Sequence, residues 1–483
     1  MEKINKYLFI ITLIFIFLLI YSPHFKNPYP IHIDEWHSIT ESIKLKENGL
    51  TKGLQATKIG FYIILASLSY LTNLILVYKF LPAIWALISA ITLFYIVKSK
   101  TSNLKSSFLV AILSIIFFAS IKSNANLTGL WFFTPLTFSI PFIFLYIYLF
   151  SEGIQRQNKK FILISLIIML LLIPIHAVSV LFAIPFLLIF SLFHFDYIKK
   201  ERKFFSLFLL IPILGILLYS YLMDLTLINS TKSIFEQIQF KHGWGVLELK
   251  NSFFELYSPI GYLLAIFGLL YMVFNNSKKY LIYILWPITV LIYIIIFKLT
   301  GTSLLSPYQR NLYYLAISLP FLSGLGTYNI LRLIRKQTNK MKNKNKKTIN
   351  KIISLILIIS ILFLTFNSYY QIPENIKLYK TIDNNNYQAL QFLKDRPNPT
   401  ESKVMAPAEI STAIYPITKL EPVATLFFYG NRNQVEIFFR STDCQTKNQI
   451  ITNNQVSYVL SETSINCNWE IIYNKNNNII YKI

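Results

Sequence analysis

Runs of apolar residues, broken by short Lys/Arg-bearing stretches, recur along the chain as far as about residue 366. A helix needs roughly 20 such residues to cross a hydrocarbon core of about 30 Å. Inside that core every backbone N–H and C=O must be satisfied within its own segment, so the chain is bound to a helical bundle. Candidate spans are 7–21, 81–97, 106–121, 132–150, 161–175, 177–193, 204–222, 260–274, 280–297, 311–331 and 352–366. Several hold proline (Pro82, Pro135, Pro141, Pro185, Pro212, Pro287), which blurs their ends. Charged residues make up 14% of the chain, against about 25% in soluble domains, and mean hydropathy is +0.49.

The cations orient the bundle. Net charge is +24, from 46 Lys+Arg against 22 Asp+Glu. They cluster in loops beside apolar runs, a positive-inside pattern rather than a nucleic-acid footprint. Lys98 to Lys105, Arg156 to Lys160, Lys199 to Lys203, Lys278-Lys279 and the Lys/Asn-rich run from Arg332 to Lys351 are expected in the cytoplasm. The first span follows Lys3 and Lys6, and Ser22-Pro23-His24-Phe25 comes where a small-residue cleavage site would stand. It reads as an uncleaved signal anchor with a cytoplasmic N-terminus. These choices give about eleven crossings. Residues 60–77 are apolar enough to cross, but a crossing there would put Lys98 to Lys105 outside; the segment is therefore expected to lie along or dip into the outer interface, the alternative being a true crossing with Lys79 as its only cytoplasmic charge.

The region from about residue 370 is built differently. Residues 385–395 read as an amphipathic helix, and 403–406, 422–428, 435–439, 456–461, 469–473 and 479–483 as strands separated by turn-forming Asn. The division is thus a membrane module, 1–369, and a small extracytoplasmic α/β domain, 370–483. Cys444 and Cys467 both fall in that domain and are able to pair in an oxidising compartment.

Function is expected on the outer face. Asp34 and Glu35 open a helix after a Pro-rich entry, beside Trp36 and His37. The plain structural reading is a helix cap favoured by the dipole; the chemical one is a carboxylate poised as general base. His176 sits at a turn between two spans, where histidine is more often structural. Arg310 starts a late helix and suits a phosphate; Lys122 resembles it in a weaker context. The loop 223–259 holds Asp224, Glu236, His242, Trp244, Glu248 and Glu255, a mixture suited to a sugar or to a plain interfacial helix. No convincing metal-ligand spacing or Gly-rich phosphate loop occurs, so no cofactor is expected.

These parts together resemble the GT-C superfamily of membrane glycosyltransferases, in its protein O-mannosyltransferase and aminoarabinose transferase branch. The motif is Ile33-Asp34-Glu35-Trp36-His37, similar to the Asp-Glu-x-His core after the first helix of protein O-mannosyltransferases. The order of parts is similar too: first helix, acidic outer loop, interfacial segment, helical body and C-terminal domain. The late segment 308–326, with Arg310, Tyr313 and Tyr314, resembles a helix of archaeal and bacterial members. Two features depart from the pattern. The loop 122–131 has no carboxylate, where metal-using relatives place one, and Lys58-Ile59-Gly60-Phe61 replaces a Pro-Pro entry.

The resemblance implies inverting transfer of a sugar from a polyprenyl-phosphate donor to a protein or lipid-linked glycan acceptor on the outer face. Asp34 would be the base and Glu35 and His37 its supports. Arg310, with Lys122 or His176, would hold the lipid phosphate. The Lys/Ile/Asn-rich composition suits an AT-rich microbial genome, and an archaeal source would make dolichyl phosphate the carrier. Two readings compete. A transporter or flippase of lipid-linked sugar would want ionisable residues at helix midpoints, and a non-catalytic membrane scaffold would make Asp34 dispensable.

Overall fold

The computed structural model describes residues 2–25, 27–49, 58–104, 106–122, 129–206, 256–340, 380–396, 402–426 and 430–483, with scattered positions between 207 and 255 and between 341 and 379. In chain order the elements begin with α1 Glu2–Tyr21, α2 Ile33–Asn48, α3 Ile59–Leu71, α4 Leu74–Tyr78, α5 Leu81–Lys100, α6 Ser107–Ala119, α7 Pro135–Gln155 and α8 Lys159–His176. There follow α9 Val178–Leu181, α10 Ile184–Leu192, α11 Phe195–Lys200, β1 Gln239–Lys241, α12 Pro259–Thr300, β2 Thr302–Leu304 and α13 Tyr308–Lys340. The C-terminal region holds α14 Asn384–Lys394, β3 Lys403–Met405, α15 Ala408–Ser411, α16 Ile414–Thr418, β4 Glu421–Pro422, α17 Arg432–Arg440, α18 Cys444–Asn454, β5 Val456–Ser461, β6 Glu470–Lys475 and β7 Asn478–Lys482.

Contacts divide the chain into two compact units: Met1–Ile20, Pro82–Trp131 and Pro135–Ile372 in one, Tyr21–Leu81, Phe132–Thr134 and Pro373–Ile483 in the other. This differs from a single cut near residue 370, because the segment after α1 groups with the C-terminal domain.

The first unit is the membrane body. Among the described residues, six helices are long and apolar enough to cross: Asn5–Phe25, Leu81–Lys100, Pro135–Gln155, Lys159–His176, Lys278–Thr300 and Tyr308–Thr338. The expected spans 204–222 and 352–366 lie largely outside the described residues. From Val110 to Ala119 every residue of α6 is buried, as expected of a helix apolar on all sides. The helical stretch Pro259–Thr300 doubles back on itself. Gly268 and Tyr283 are 15 positions apart, about 22 Å along a straight helix. Yet a Cβ at Gly268 would fall 1.9 Å from the carbonyl oxygen of Leu322, while the Tyr283 ring lies 5.0 Å from that of Phe321. Both meet the same turn of α13, so Pro259–Asn275 and Lys278–Thr300 are two arms.

The bend between those arms sits with two other basic loops. Gln155 donates to the carbonyl oxygen of Lys278 (3.0 Å), Lys279 to Asn103 (3.1 Å) and Tyr280 to the carbonyl oxygen of Lys100 (3.3 Å). Buried Lys100 pairs with Glu152. Three loops expected on the cytoplasmic side thus share one end of the body.

In the second unit, α3 has 13 residues, about 20 Å, which is short of a membrane core. It stops at Thr72, and Asn73 caps α4 by accepting the N–H of Ile75 (3.0 Å). The C-terminal sheet has the order β4-β3-β5-β7-β6. β3 runs parallel to both β4 and β5, while β7 is antiparallel to β5 and β6. Asn476 and Asn477, both at positive φ, make the β6–β7 turn, a conformation asparagine tolerates. Cys444 and Cys467 are disulfide-bonded.

One expectation is corrected here. Residues 435–439 are not a strand but part of α17. Asn431 caps that helix, Arg432, Glu436 and Arg440 align at i,i+4, and Val435 and Phe438 are buried. The β-branched and aromatic run suggested period two, whereas the flanking charges carried period 3.6. Of the expected strand 422–428, Pro422 pairs with β3 as part of β4, and Phe427 and Phe428 lie outside the described residues.

Candidate functional site

The start of α2 is fixed by polar contacts on its first turn. His32 is the N-cap, its Nδ1 accepting the N–H of Asp34 (3.1 Å). Glu35 closes the capping box: Oε2 accepts the N–H of His32 (3.0 Å) and of Ile31 (2.9 Å). Its other oxygen, Oε1, accepts the N–H of Phe133 (2.8 Å). Tyr78, also fully buried, donates to the carbonyl oxygen of the same Phe133 (2.7 Å). Trp36 donates from its indole to the carbonyl oxygen of Pro30 (2.9 Å). The segment 132–134 is therefore held through the Phe133 N–H to the start of α2 and through its C=O to Tyr78 at the end of α4.

Glu35 and Asp34 part company on exposure. Glu35 is 0% exposed, and burial pushes its carboxyl up to about 7 against the pull of the three amides. The Asp34 side chain is 28% exposed. Its 3.7 Å approach to His32 Nδ1 is no hydrogen bond, since that nitrogen's lone pair takes the Asp34 amide. Asp34 is thus the carboxylate able to meet a ligand, held by a neighbour that meets none. His37, one turn on, stands edge to face with Tyr62, their ring centroids 6.3 Å apart. Burial first, then the charges of Lys58 and Lys44, lower it to about 4, with Asp34 opposing. His37 also lines a narrow cleft of about 10 Å³, room for about one water, with Thr40, Lys44, Thr412, Tyr415 and Thr425, where the buried Thr412 hydroxyl has no hydrogen-bond partner among the described residues.

α2 is also tied to the C-terminal domain. Lys44 pairs with Glu421 (2.8 Å), Glu47 accepts from Tyr415 (2.5 Å) and Lys419 (2.6 Å), and Thr381 donates from its backbone to Ile31 (3.2 Å).

The other sequence-selected residues belong to the membrane body. Arg310 stands in the first turn of α13, and its charge acts on the hydroxyls of Tyr313 and Tyr314. The Tyr313 hydroxyl and Asn311 Oδ1 are buried without a partner among the described residues. Tyr314 contacts Ser179 Oγ (3.1 Å), which contacts His176 Nδ1 (2.6 Å). His176 and the Arg310 helix are therefore linked through two hydroxyls. Lys122 is held by its backbone N–H on the carbonyl oxygen of Leu256 (2.8 Å), and partial burial lowers its ammonium. Asp224, Glu236, His242, Trp244, Glu248 and Glu255 lie outside the described residues.

Tyr78 and Phe133 were not legible beforehand, whereas Tyr313 came only with the resemblance of the segment 308–326. Phe133 takes part through its backbone amide, a group every residue but proline carries, so no sequence signal marks it. Among the described residues no three His, Cys, Asp or Glu side chains converge as metal ligands. At the start of α2 the carboxylate of Glu35 is already engaged by amides, so the donor set does not fit a metal.

No family model matches the chain, and no curated protein matches it. Solved structures do. The oligosaccharyltransferase of Archaeoglobus fulgidus in its apo form aligns over 95% of this chain and 69% of its own, with TM-score 0.59 and 13% identity. ArnT from Cupriavidus metallidurans, bound to undecaprenyl phosphate, aligns over 98% of this chain and 97% of its own, with TM-score 0.58 and 8% identity. The archaeal oligosaccharyltransferase AglB in complex with an inhibitory peptide and a dolichol-phosphate aligns with TM-score 0.55 and 13% identity. The chain has the general fold of these GT-C enzymes, a polytopic helical body followed by a domain with a mixed sheet.

Proposed function

We propose that the chain is a membrane glycosyltransferase that moves a sugar from a polyprenyl-phosphate donor to an acceptor on the outer face, with Asp34 as general base. The observation that carries this reading is the division of labour between two adjacent carboxylates. Glu35 is buried and spent on three backbone amides, whereas the Asp34 side chain beside it, in the first turn of the same helix, is 28% exposed. The fold shared with ArnT and AglB, solved with undecaprenyl phosphate and dolichol-phosphate, supports the donor class.

The reaction is a single displacement. Asp34 takes the proton of an acceptor hydroxyl or amide while the acceptor atom bonds to the anomeric carbon. The bond from that carbon to the phosphate oxygen breaks, and polyprenyl phosphate leaves with the electron pair. One attack from the opposite face inverts the anomeric centre. Arg310 is assigned to the phosphate, where a fixed guanidinium stabilises the charge that grows as it departs. The Tyr313 hydroxyl beside it, without a partner among the described residues, is a second donor for the same oxygens. Lys122 supplies further positive charge. His176, engaged by Ser179, orients the Ser179–Tyr314 pair. Glu35 positions Asp34, and neutral His37 orients the acceptor.

The test is transfer by purified protein from a panel of polyprenyl-phosphate sugars. Asp34→Asn should cut turnover by about 10²- to 10⁴-fold, the usual worth of a general base, while thermal stability and donor binding stay close to wild type. Undiminished turnover in that variant would overturn the assignment.

A further inference from the structure

We infer that the C-terminal domain carries a carbohydrate-binding site of its own, in the crevice at the carboxyl ends of β3 and β5. This does not rest on the transferase reading. The argument starts from topology. From β3 the chain moves through α15 and α16 to β4 on one side, then returns through α17 and α18 to β5 on the other. Neighbouring parallel strands β3 and β5 thus send their following connections in opposite directions. In open α/β sheets that divergence opens a ligand crevice beyond the strands' carboxyl ends.

A cleft lies at that place. It is an open cleft of about 270 Å³, at the small end of the range of small-molecule sites. Glu409 comes from the segment after β3, Glu462 from the residue after β5, and one face of α17 supplies Arg432, Glu436, Phe439 and Arg440. Glu436 engages Arg432 at 2.7 Å and Arg440 at 3.8 Å. Glu409 and Glu462 are both exposed. Glu462 also accepts from Asn386 (3.2 Å), which steadies it. Phe439 is packed against the domain core while still lining the cleft.

The charge pattern selects the ligand class. Three carboxylates repel a phosphate or other polyanion, and two guanidinium groups repel a polycation. A neutral polyhydroxylated ring meets neither penalty. Its hydroxyls donate to Glu409 and Glu462 and accept from the arginines, as charge-assisted bonds, while its C–H face rests on the Phe439 ring.

The experiment uses the full-length protein in nanodiscs and ligand-observed NMR titration with maltose, mannobiose, chitobiose and lactose. At least one disaccharide should saturate below about 10 mM. Glu409→Gln and Phe439→Leu should each weaken it about fivefold or more, with unchanged thermal unfolding. A lysine-rich peptide and inorganic phosphate should not compete. Absence of saturation by every disaccharide, binding indifferent to both variants, or displacement by the peptide or phosphate would each overturn the proposal.

Discussion

Glu35→Gln tests whether the buried carboxylate is a fastener or a reagent. The wild-type group accepts three backbone N–H bonds, two on Oε2 and one on Oε1. Glutamine keeps the shape but has only one accepting oxygen. With that oxygen toward Ile31 and His32, its NH₂ faces the Phe133 N–H, donor against donor. One charge-assisted bond is lost, worth about 1.5–3 kcal/mol, and a buried amide goes unpaired at roughly 1–3 kcal/mol. The opposite rotamer forfeits two bonds. We expect the junction of 31–36 with 132–134 to weaken by about 2–4 kcal/mol. Hydrogen-exchange mass spectrometry should show this as faster exchange in peptides covering 31–36 and 132–134. Turnover should fall as well, because Asp34 loses its frame. If exchange stays as protected as in wild type while turnover collapses, Glu35 acts on the substrate directly and the positioning argument fails. If neither changes, the clamp itself is inconsequential.

Three further outcomes follow from the same geometry. Arg310→Ala should raise the donor KM by about tenfold or more, with partial recovery in Arg310→Lys, which keeps the charge but not the fork; an unchanged KM in steady-state kinetics would remove Arg310 from the phosphate. His37 is depressed from its ordinary value to about 4. Its stabilising contribution is therefore present above about 6.5 and lost as pH falls through about 4. His37→Gln should accordingly leave any limb of the pH–rate profile between pH 6 and 7 where it was. Cys444→Ser together with Cys467→Ser opens a loop of sequence separation 23 and should cost the C-terminal domain about 3 kcal/mol, read as faster hydrogen exchange in β5 and β7.

What the sequence disclosed follows from which interactions leave a local trace. Hydrophobic length marked most helices of the membrane body, because burial in lipid is a property of consecutive residues. Folding-back of Pro259–Thr300 was legible too, through the Lys278-Lys279 break. Secondary structure in the C-terminal domain was harder. Val435 to Phe439 has strand-like composition, and only the i,i+4 charges with the Asn431 cap betray the helix. The pair Asp34-Glu35 stood out as polar, yet nothing local said which of the two would be buried. That depended on Phe133, nearly a hundred positions away, offering an amide. Long-range backbone donors are invisible in a single sequence.

The bonds from Lys44 and Glu47 to Glu421, Tyr415 and Lys419 bear on how chains of this fold can be recombined. A hybrid that exchanges only residues 373–483 would strand two lysine–glutamate partnerships and a tyrosine contact at the seam. The transplantable cassette is 21–81 with 132–134 and 373–483, three stretches far apart in the gene that behave as one part. Any partner swapped in must bring its own acidic helix, so the tail and the proposed base are inherited together.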